Sequence, residues 1–378
     1  MSEKTIGIIG AGIGGLTMGL GLKRAGIPFR IYERAPEIRP VGAGIIMANN
    51  AMQVFKYFGI QHQVEQAGNK VEVVRLTDKL LRPLSSMPLA KFEKKYGVYN
   101  VAIHRAALQN VLAEEVGFEN ISLGKEIREI HPEKNYVLRF TDGDEVFHKV
   151  IIGADGIHSF VRKHVFEASE LRPARQFCWR GISESNIDSI YNHQAFECWD
   201  RGKRFGFVKI SSEKWYWFAV VSSTIDIDTA QLNELFKEFH PVVLTLINST
   251  PADQIVTGPI MDLKPINSFT KNNMCLIGDA AHATTPNLGQ GACQAVEDAF
   301  AITNLLKKGL APEAAFLQYE KLRMNKAHEV VNRSRSLGNI AHLSNPLLVH
   351  LRNMVMRLTP PSAATKGLNR LFDINSLL

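Results

Sequence analysis

The chain has 378 residues, 45% of them apolar and 8% aromatic, with a net charge of +7 at neutral pH. At roughly 150 residues per domain that length suits two to three domains, and the composition excludes a disordered chain. The basic residues are dispersed, without a block of like charge, which argues against a nucleic-acid-binding face and leaves attraction of an anionic cofactor or substrate.

The first residues run directly into a strand at Thr5–Ile9, with no apolar leader ahead of it. Gly10, Gly12 and Gly15 follow in G-x-G-x-x-G spacing, then a helix over 13–25 that Gly26 ends, then the strand "PFRIYE" closing on Glu33. Gly10 permits a sharp turn, Gly12 lets a pyrophosphate reach the backbone, and Gly15 lets helix and strand pack closely. The helix start offers free N–H groups and partial positive charge to phosphates. Glu33 stands 23 residues after Gly10, where a carboxylate accepts from ribose hydroxyls. The unit reads as an adenine-dinucleotide site, and the motif by itself does not separate FAD from NAD.

Residues 99–116 predict a short strand and an amphipathic helix, with Arg105 at their junction, either a phosphate partner or a first-turn surface arginine. A β-meander follows in "KEIREIH", "YVLRF" and "EVFHKVII", with Asp142-Gly143 as a hairpin turn. The strand at 150–152 stops at Gly153, and Asp155-Gly156 turns into a helix carrying Ser159 and Arg162.

Residues 172–267 change character. "QFCWRGIS", "QAFECWD", "KRFGFVKIS" and "KWYWFAVVSS" predict a mostly antiparallel sheet, followed by two short helices near 229–248 and a return strand near 254–260. If Ile210 opposes Lys214, one face of the hairpin formed by Arg204–Ile210 and Lys214–Val220 carries Arg204, Val208, Tyr216 and Phe218, and the other Phe205, Phe207, Trp215 and Trp217. A slip of one residue would separate Arg204 from Tyr216. The first face suits an anionic or phenolic aromatic; alternatively one face is core and the other a solvated or dimer surface.

"GDAAHATTPNLGQGACQAVEDA", residues 278–299, places Asp279 just after a strand and surrounds it with small residues before a helix begins. Gly278, Gly289, Gly291 and the alanines exceed what a tight turn needs, so the backbone must approach something closely. His282 reads better as a helper of this turn than as a catalytic group. A long helical region runs to the end. Its segment "NPLLVHLRNMVMRLTPP", residues 345–361, is apolar with Arg352 and Arg357, and reads as a terminal helix packed on the dinucleotide-binding part in preference to a membrane-surface contact. Cys178, Cys198, Cys275 and Cys293 show neither C-x-x-C nor zinc-ligand spacing and read as buried thiols of a reducing compartment. The longest apolar run, "WYWFAVV", falls far short of the ~20 residues that span a bilayer. The sequence thus points to a soluble cytoplasmic protein without stable membrane insertion.

"GADGIHSFVR" resembles the D-G motif of class A flavoprotein monooxygenases, the aromatic hydroxylase family built like p-hydroxybenzoate hydroxylase. "GDAAHATTPNLGQG" resembles the G-D motif of that family. With Gly10–Gly15, Glu33-Arg34 and Arg105, the likeness covers 1 to about 165 and about 268 to 345. It implies an α/β fold: a Rossmann-like FAD-binding domain with a β-meander (1–70, 99–171 and 268–345), an antiparallel-sheet substrate domain (71–98 and 172–267) and a C-terminal helical segment (346–378). Asp279 would hold the ribityl chain. The loop from Pro286 to Ala292 would pass along the isoalloxazine, with the next helix pointing its N-terminus at the pyrimidine edge. The candidate cofactor residues are Gly10, Gly12, Gly15, Glu33, Arg34, Gly44, Ile45, Arg105, Asp155, Asp279, Pro286, Gly289, Gly291 and Ala292.

The spacing of "GKRF" and "WYWF" resembles the urate-hydroxylase branch, which nominates Arg204 and Tyr216 as substrate-holding catalytic candidates. That branch carries an acid just after "TTP", where this chain has Asn287, and the segment is closer to zeaxanthin-epoxidase-like and plant monooxygenase-like members. The purine substrate is therefore not carried over. The implied activity is an FAD-dependent monooxygenase with non-covalent FAD, reduced by transient NADH or NADPH. Oxygen would add at flavin C4a and one atom pass to a small aromatic or electron-rich substrate, by hydroxylation or epoxidation. No metal or nucleic acid is implied, and the protein would be a monomer or homodimer. The alternatives are a geranylgeranyl-reductase-like FAD-dependent reductase and a flavin-binding protein without turnover.

Overall fold

The computed structural model describes residues 5–38, 43–132, 135–166, 169–223 and 227–378; Met1–Lys4, part of the stretch read as leaderless, lie outside them. Strand β1 (Ile6–Ile9), helix α1 (Ile13–Arg24) and strand β2 (Phe29–Tyr32) form the opening βαβ unit, with β1 and β2 parallel. Strand β3 (Gly44–Met47) leads through α2 (Asn49–Tyr57) and α3 (Gln61–Gln66) to β4 (Gly68–Val71). Then come β5 (Val73–Asp78), β6 (Pro83–Pro88), α4 (Ala90–Tyr96), β7 (Asn100–His104) and α5 (Arg105–Val116).

Strands β8 (Ile121–Ser122), β9 (Ile127–Pro132), β10 (Tyr136–Phe140), β11 (Glu145–His148) and β12 (Val150–Gly153) precede α6 (Phe160–Val165). Next are β13 (Leu171–Ser183), β14 (Gln194–Asp200), β15 (Lys203–Lys209) and β16 (Trp215–Ser222). Helices α7 (Leu232–Phe236) and α8 (Pro241–Asn248) return to β17 (Val256–Leu263). The chain closes with β18 (Thr270–Lys271), β19 (Met274–Leu276), α9 (Asp279–His282), α10 (Gly291–Lys307), α11 (Pro312–Ala341), α12 (Pro346–Leu358) and α13 (Pro361–Phe372).

The fold class is the one the resemblance implies, α/β with a helical C-terminal region. A mostly parallel sheet runs β18-β19-β12-β1-β2-β8, and an antiparallel meander runs β11-β10-β9. A seven-stranded sheet runs β17-β13-β16-β15-β14-β5-β6, and a small sheet runs β3-β7-β4. β1 and β12 are buried at every residue, which is why both read as unbroken apolar runs and not as alternating strands. The segment "EVFHKVII" is two strands, not one: its first half closes the meander and, beyond Lys149, its second half enters the parallel sheet. Exposed Phe147 against fully buried Ile151 and Ile152 marks the change from a one-sided sheet to a two-sided one.

In the seven-stranded sheet β15 and β16 pair as Lys203–Val221 through Lys209–Trp215, the register that puts Arg204 and Tyr216 on one face. The opposite face, with Phe205, Phe207, Trp215 and Trp217, is core and packs on Leu232, Phe236 and Leu246 of α7 and α8. The Trp217 indole N–H is buried there and donates to Thr250 Oγ1 at 2.8 Å. The sheet is not wholly antiparallel, because β5 joins it parallel to β14. All four cysteines are buried and unpaired. Burial pushes the Cys198 and Cys293 thiols up to about 12, which leaves them inert.

Helix α12 packs mainly against β6, at the edge of the seven-stranded sheet, and touches the dinucleotide-binding part at the end of α11. Its inner side carries Val349 and Arg352, whose guanidinium lies over the Trp199 ring at 5.1 Å and donates to the Ala341 carbonyl at 2.9 Å. Among the described residues no helix is long and apolar enough to cross a membrane.

Candidate active site

The turn from β1 into α1 is built around its glycines. Gly10 has φ of +105°, and a Cβ there would stand 2.5 Å from the Ala154 carbonyl oxygen. A Cβ on Gly15 would overlap the Gly10 carbonyl. Gly12 differs: the space its side chain would take is open. Glu33, at the end of β2, accepts from the Ala11 N–H at 2.7 Å and the Ala35 N–H at 2.9 Å, which ties its carboxylate to this turn. Arg34 beside it is exposed.

Asp155 closes a second turn. Its carboxylate accepts from Ser159 Oγ at 2.5 Å and from the Val161 N–H at 3.0 Å, so it organises the start of α6. Burial raises its pKa. Arg162 extends from that helix and donates to the Ala280 carbonyl at 2.8 Å, joining the D-G turn to the G-D turn.

Asp279 opens α9 with its surface accessible, yet it sits deep enough that the surrounding protein raises its carboxyl pKa against the pull of His282, Arg105 and Arg162. Arg105, at the start of α5, also acts electrostatically on Tyr216. Tyr216 in turn lies over β3, and a side chain at Gly44 would collide with its ring. Ile45 follows in β3, paired with Ile103. Arg105 thus lies within electrostatic reach of both Asp279 and Tyr216, and Tyr216 covers Gly44. Burial raises the Tyr216 pKa, so its phenol stays an O–H donor.

The loop after α9 combines Pro286, exposed Gly289 in the left-handed region with φ of +60°, and the start of α10 at Gly291 and Ala292. Open space surrounds the missing side chain of Gly289, whereas the nearest atoms to one on Gly291 are 3.5 Å away. Asn287 donates to Thr285 Oγ1 at 2.9 Å and to the Ser334 carbonyl at 2.8 Å. Its buried Oδ1 has no partner. His282 is buried and contacts Asp298 through Nε2 at 2.6 Å, which fits a turn-holding role.

A cavity of about 440 Å³ lies beside this loop. Its walls come from the second face of the seven-stranded sheet (Val74, Leu76, Val208, Tyr216, Phe218), from Ile46 and Leu288, and from α11 and α13 through Val330, Leu337, Leu368 and Leu371. That volume is in the range of small-molecule sites. Arg204 is not in the wall. It is buried, donates Nε–H to His342 Nε2 at 2.8 Å, and pairs with Glu197 Oε1 at 3.0 Å. Glu197 does line the cavity and also accepts from the Trp199 indole at 2.7 Å. Sequence reading passed over Glu197 and His342. The available signal was a lone acid inside the aromatic strand "QAFECWD"; nothing local marks His342.

The open cradle at Gly12, the carboxylate of Glu33, the accessible Asp279 and the orphaned Asn287 oxygen suit a long, polar dinucleotide carrying a planar ring. The family described as FAD binding domain matches residues 3–334. The chain is 36% identical over 361 residues to an aurachin C monooxygenase/isomerase of Stigmatella aurantiaca, covering 94% of each. It is 30% identical to a 2-heptyl-3-hydroxy-4(1H)-quinolone synthase of Pseudomonas aeruginosa, covering 97% of each. The solved structure of Klebsiella pneumoniae HpxO complexed with FAD and uric acid superposes with a TM-score of 0.90 at 26% identity, over 97% of this chain and 96% of that one.

The chain belongs to the FAD-binding-domain family, within the class A FAD-dependent aromatic hydroxylases. It is an FAD-dependent monooxygenase, and NAD(P)H is the reductant typical of that family.

Proposed function

We propose that the chain hydroxylates a neutral, electron-rich heteroaromatic ring of the 4-quinolone type that carries an apolar chain. The observation that carries this reading is the cavity wall, in which aliphatic and aromatic side chains predominate. The hairpin's one guanidinium on that face, Arg204, is neutralised by Glu197 and offers no free charge to an anion such as a carboxylate. The quinolone relative, named for a ring bearing a heptyl chain, supports the same substrate class.

In this reading the parallel-sheet part holds FAD and the seven-stranded sheet roofs the substrate. The Gly10–Gly15 turn, Glu33, Arg105, Asp279 and the 286–292 loop hold the cofactor, which when bound supplies the activation of O2. Tyr216 donates its phenolic O–H to a ring carbonyl. Glu197 accepts a ring N–H, and Arg204 positions Glu197 without touching substrate. The aliphatic wall excludes water from the reacting space.

The test is NAD(P)H oxidation by the holoprotein with 2-alkyl-4-quinolones of graded chain length, urate and p-hydroxybenzoate, with product mass. Quinolones should stimulate oxidation and gain one oxygen atom, better with a longer chain. Tyr216→Phe should raise KM while leaving flavin content unchanged. Coupled turnover of urate or p-hydroxybenzoate, with the quinolones inert, would refute the assignment.

A further inference from the structure

Helix α12 is amphipathic in the inverted sense. Leu347, Leu351, Met354 and Leu358 recur at helical spacing along its outer side, flanked by Leu348 and Val355, and these six are 45–80% exposed. They make up six of the fourteen large apolar residues exposed among the described residues, so the outward apolar surface is concentrated on one helix. The opposite, inner side holds the charged Arg352.

Two features decide what covers this face. The segment 345–372 contains no acidic residue, while Arg357, Lys366 and Arg370 are exposed along it, Arg357 within 3.4 Å of the Asp78 carboxylate. The second feature is size. A 13-residue helix presents a footprint of about 20 Å by 10 Å, or about 200 Å², against the ~800 Å² per partner of a stable dimer. An apolar stripe edged by cations, too small for a protein interface, matches the boundary of a bilayer with anionic headgroups.

We propose that α12 docks this protein peripherally on an anionic lipid surface, with its apolar stripe in the headgroup–acyl boundary. Helix α13 follows after the short link Thr359–Pro360 and gives the cavity Leu368 and Leu371. Arg370 on the same helix is exposed and pairs with Glu329 of α11 at 3.0 Å, where the cavity wall reaches the surface. Docking would therefore bring that end of the cavity to the lipid. It does not depend on the substrate class assigned above.

The experiment is flotation of the FAD-loaded protein with vesicles of phosphatidylcholine, with and without phosphatidylglycerol. Binding should favour the anionic vesicles by about tenfold and weaken with salt. Combined Leu347→Gln, Leu351→Gln, Met354→Gln and Leu358→Gln should abolish flotation while keeping flavin absorbance. Lys366→Glu, a single exposed change, should reduce anionic-vesicle binding severalfold. Failure of the wild type to float at low salt, equal binding to both vesicle types, or a quadruple variant that floats like wild type would overturn the proposal. So would a wild-type dimer in sedimentation velocity that the quadruple variant converts to monomer without any vesicle binding.

Discussion

Arg204 donates its Nε–H to Nε2 of His342 at 2.8 Å, tying the seven-stranded sheet to the end of α11. His342 Nδ1 meets Ser222 Oγ at 3.0 Å, so the imidazole is neutral, with its proton on Nδ1. Burial, Arg204 and Arg352 hold its pKa down to about 3. Between about pH 6.5 and pH 3 the unfolded chain binds a proton that the folded chain refuses. This contribution to stability is complete above pH 6.5 and declines as the solution is acidified. Stability should fall by about 2 kcal/mol between pH 6.5 and pH 5. Urea unfolding at the two pH values measures it, and His342→Gln should flatten that dependence.

Asp298 anchors the turn before Asp279. It accepts from the Gly278 N–H at 2.9 Å and Arg323 Nε at 2.8 Å, and contacts His282 at 2.6 Å. Burial alone would raise its pKa, but His282 and Arg323 outweigh it and bring the carboxyl to about 2. The stability it contributes is present above about pH 4 and lost as pH falls through 2. Asp298→Ala leaves buried Arg323 with Glu297 as its remaining acidic partner and should cost about 3–5 kcal/mol at neutral pH. The readout is a lower urea midpoint at unchanged slope.

Glu33 and Asp279 should govern cofactor retention more than folding. Purified protein should be yellow, with FAD released by acid precipitation. Glu33→Ala should weaken FAD by about 1.5–3 kcal/mol through a lost charge-assisted bond, and Asp279→Ala at least as much. Flavin fluorescence on dilution checks both. Full occupancy in both variants would contradict the assignment of these residues.

The glycines should separate into two kinds. Gly10→Ala faces a positive φ and the Ala154 carbonyl at 2.5 Å, and should destabilise the apoprotein. Gly291→Ala meets nothing nearer than 3.5 Å, so the apoprotein should keep its stability. If the 286–292 loop walls the oxygen-activating space, Gly291→Val should lose FAD or release more hydrogen peroxide per NAD(P)H consumed. Normal flavin content with unchanged coupling would make Gly291 a turn residue only.

The local physics of this protein was legible in its sequence. The G-x-G-x-x-G turn with Glu33 and the start of α5 at Arg105 follow from turn chemistry, and strand alternation sorts the faces of the β15–β16 hairpin once Ile210 is set opposite Lys214, a register that the structure fixes. The apolar character of α12, broken by Arg352 and Arg357, is equally plain in the sequence. What periodicity leaves open is direction, since an apolar stripe does not say whether it faces core or solvent. Packing against β6 turned that of α12 outward. Nor does register say what a side chain meets. Arg204 and Tyr216 share a face, yet Glu197 neutralises Arg204 and His342, 138 residues away, accepts its Nε–H, while Tyr216 stays at the cavity. The cavity's far wall comes from α11 and α13, and only the closing of the chain around both sheets brings those helices there, because a buried charge takes its partner from whatever the tertiary fold sets beside it.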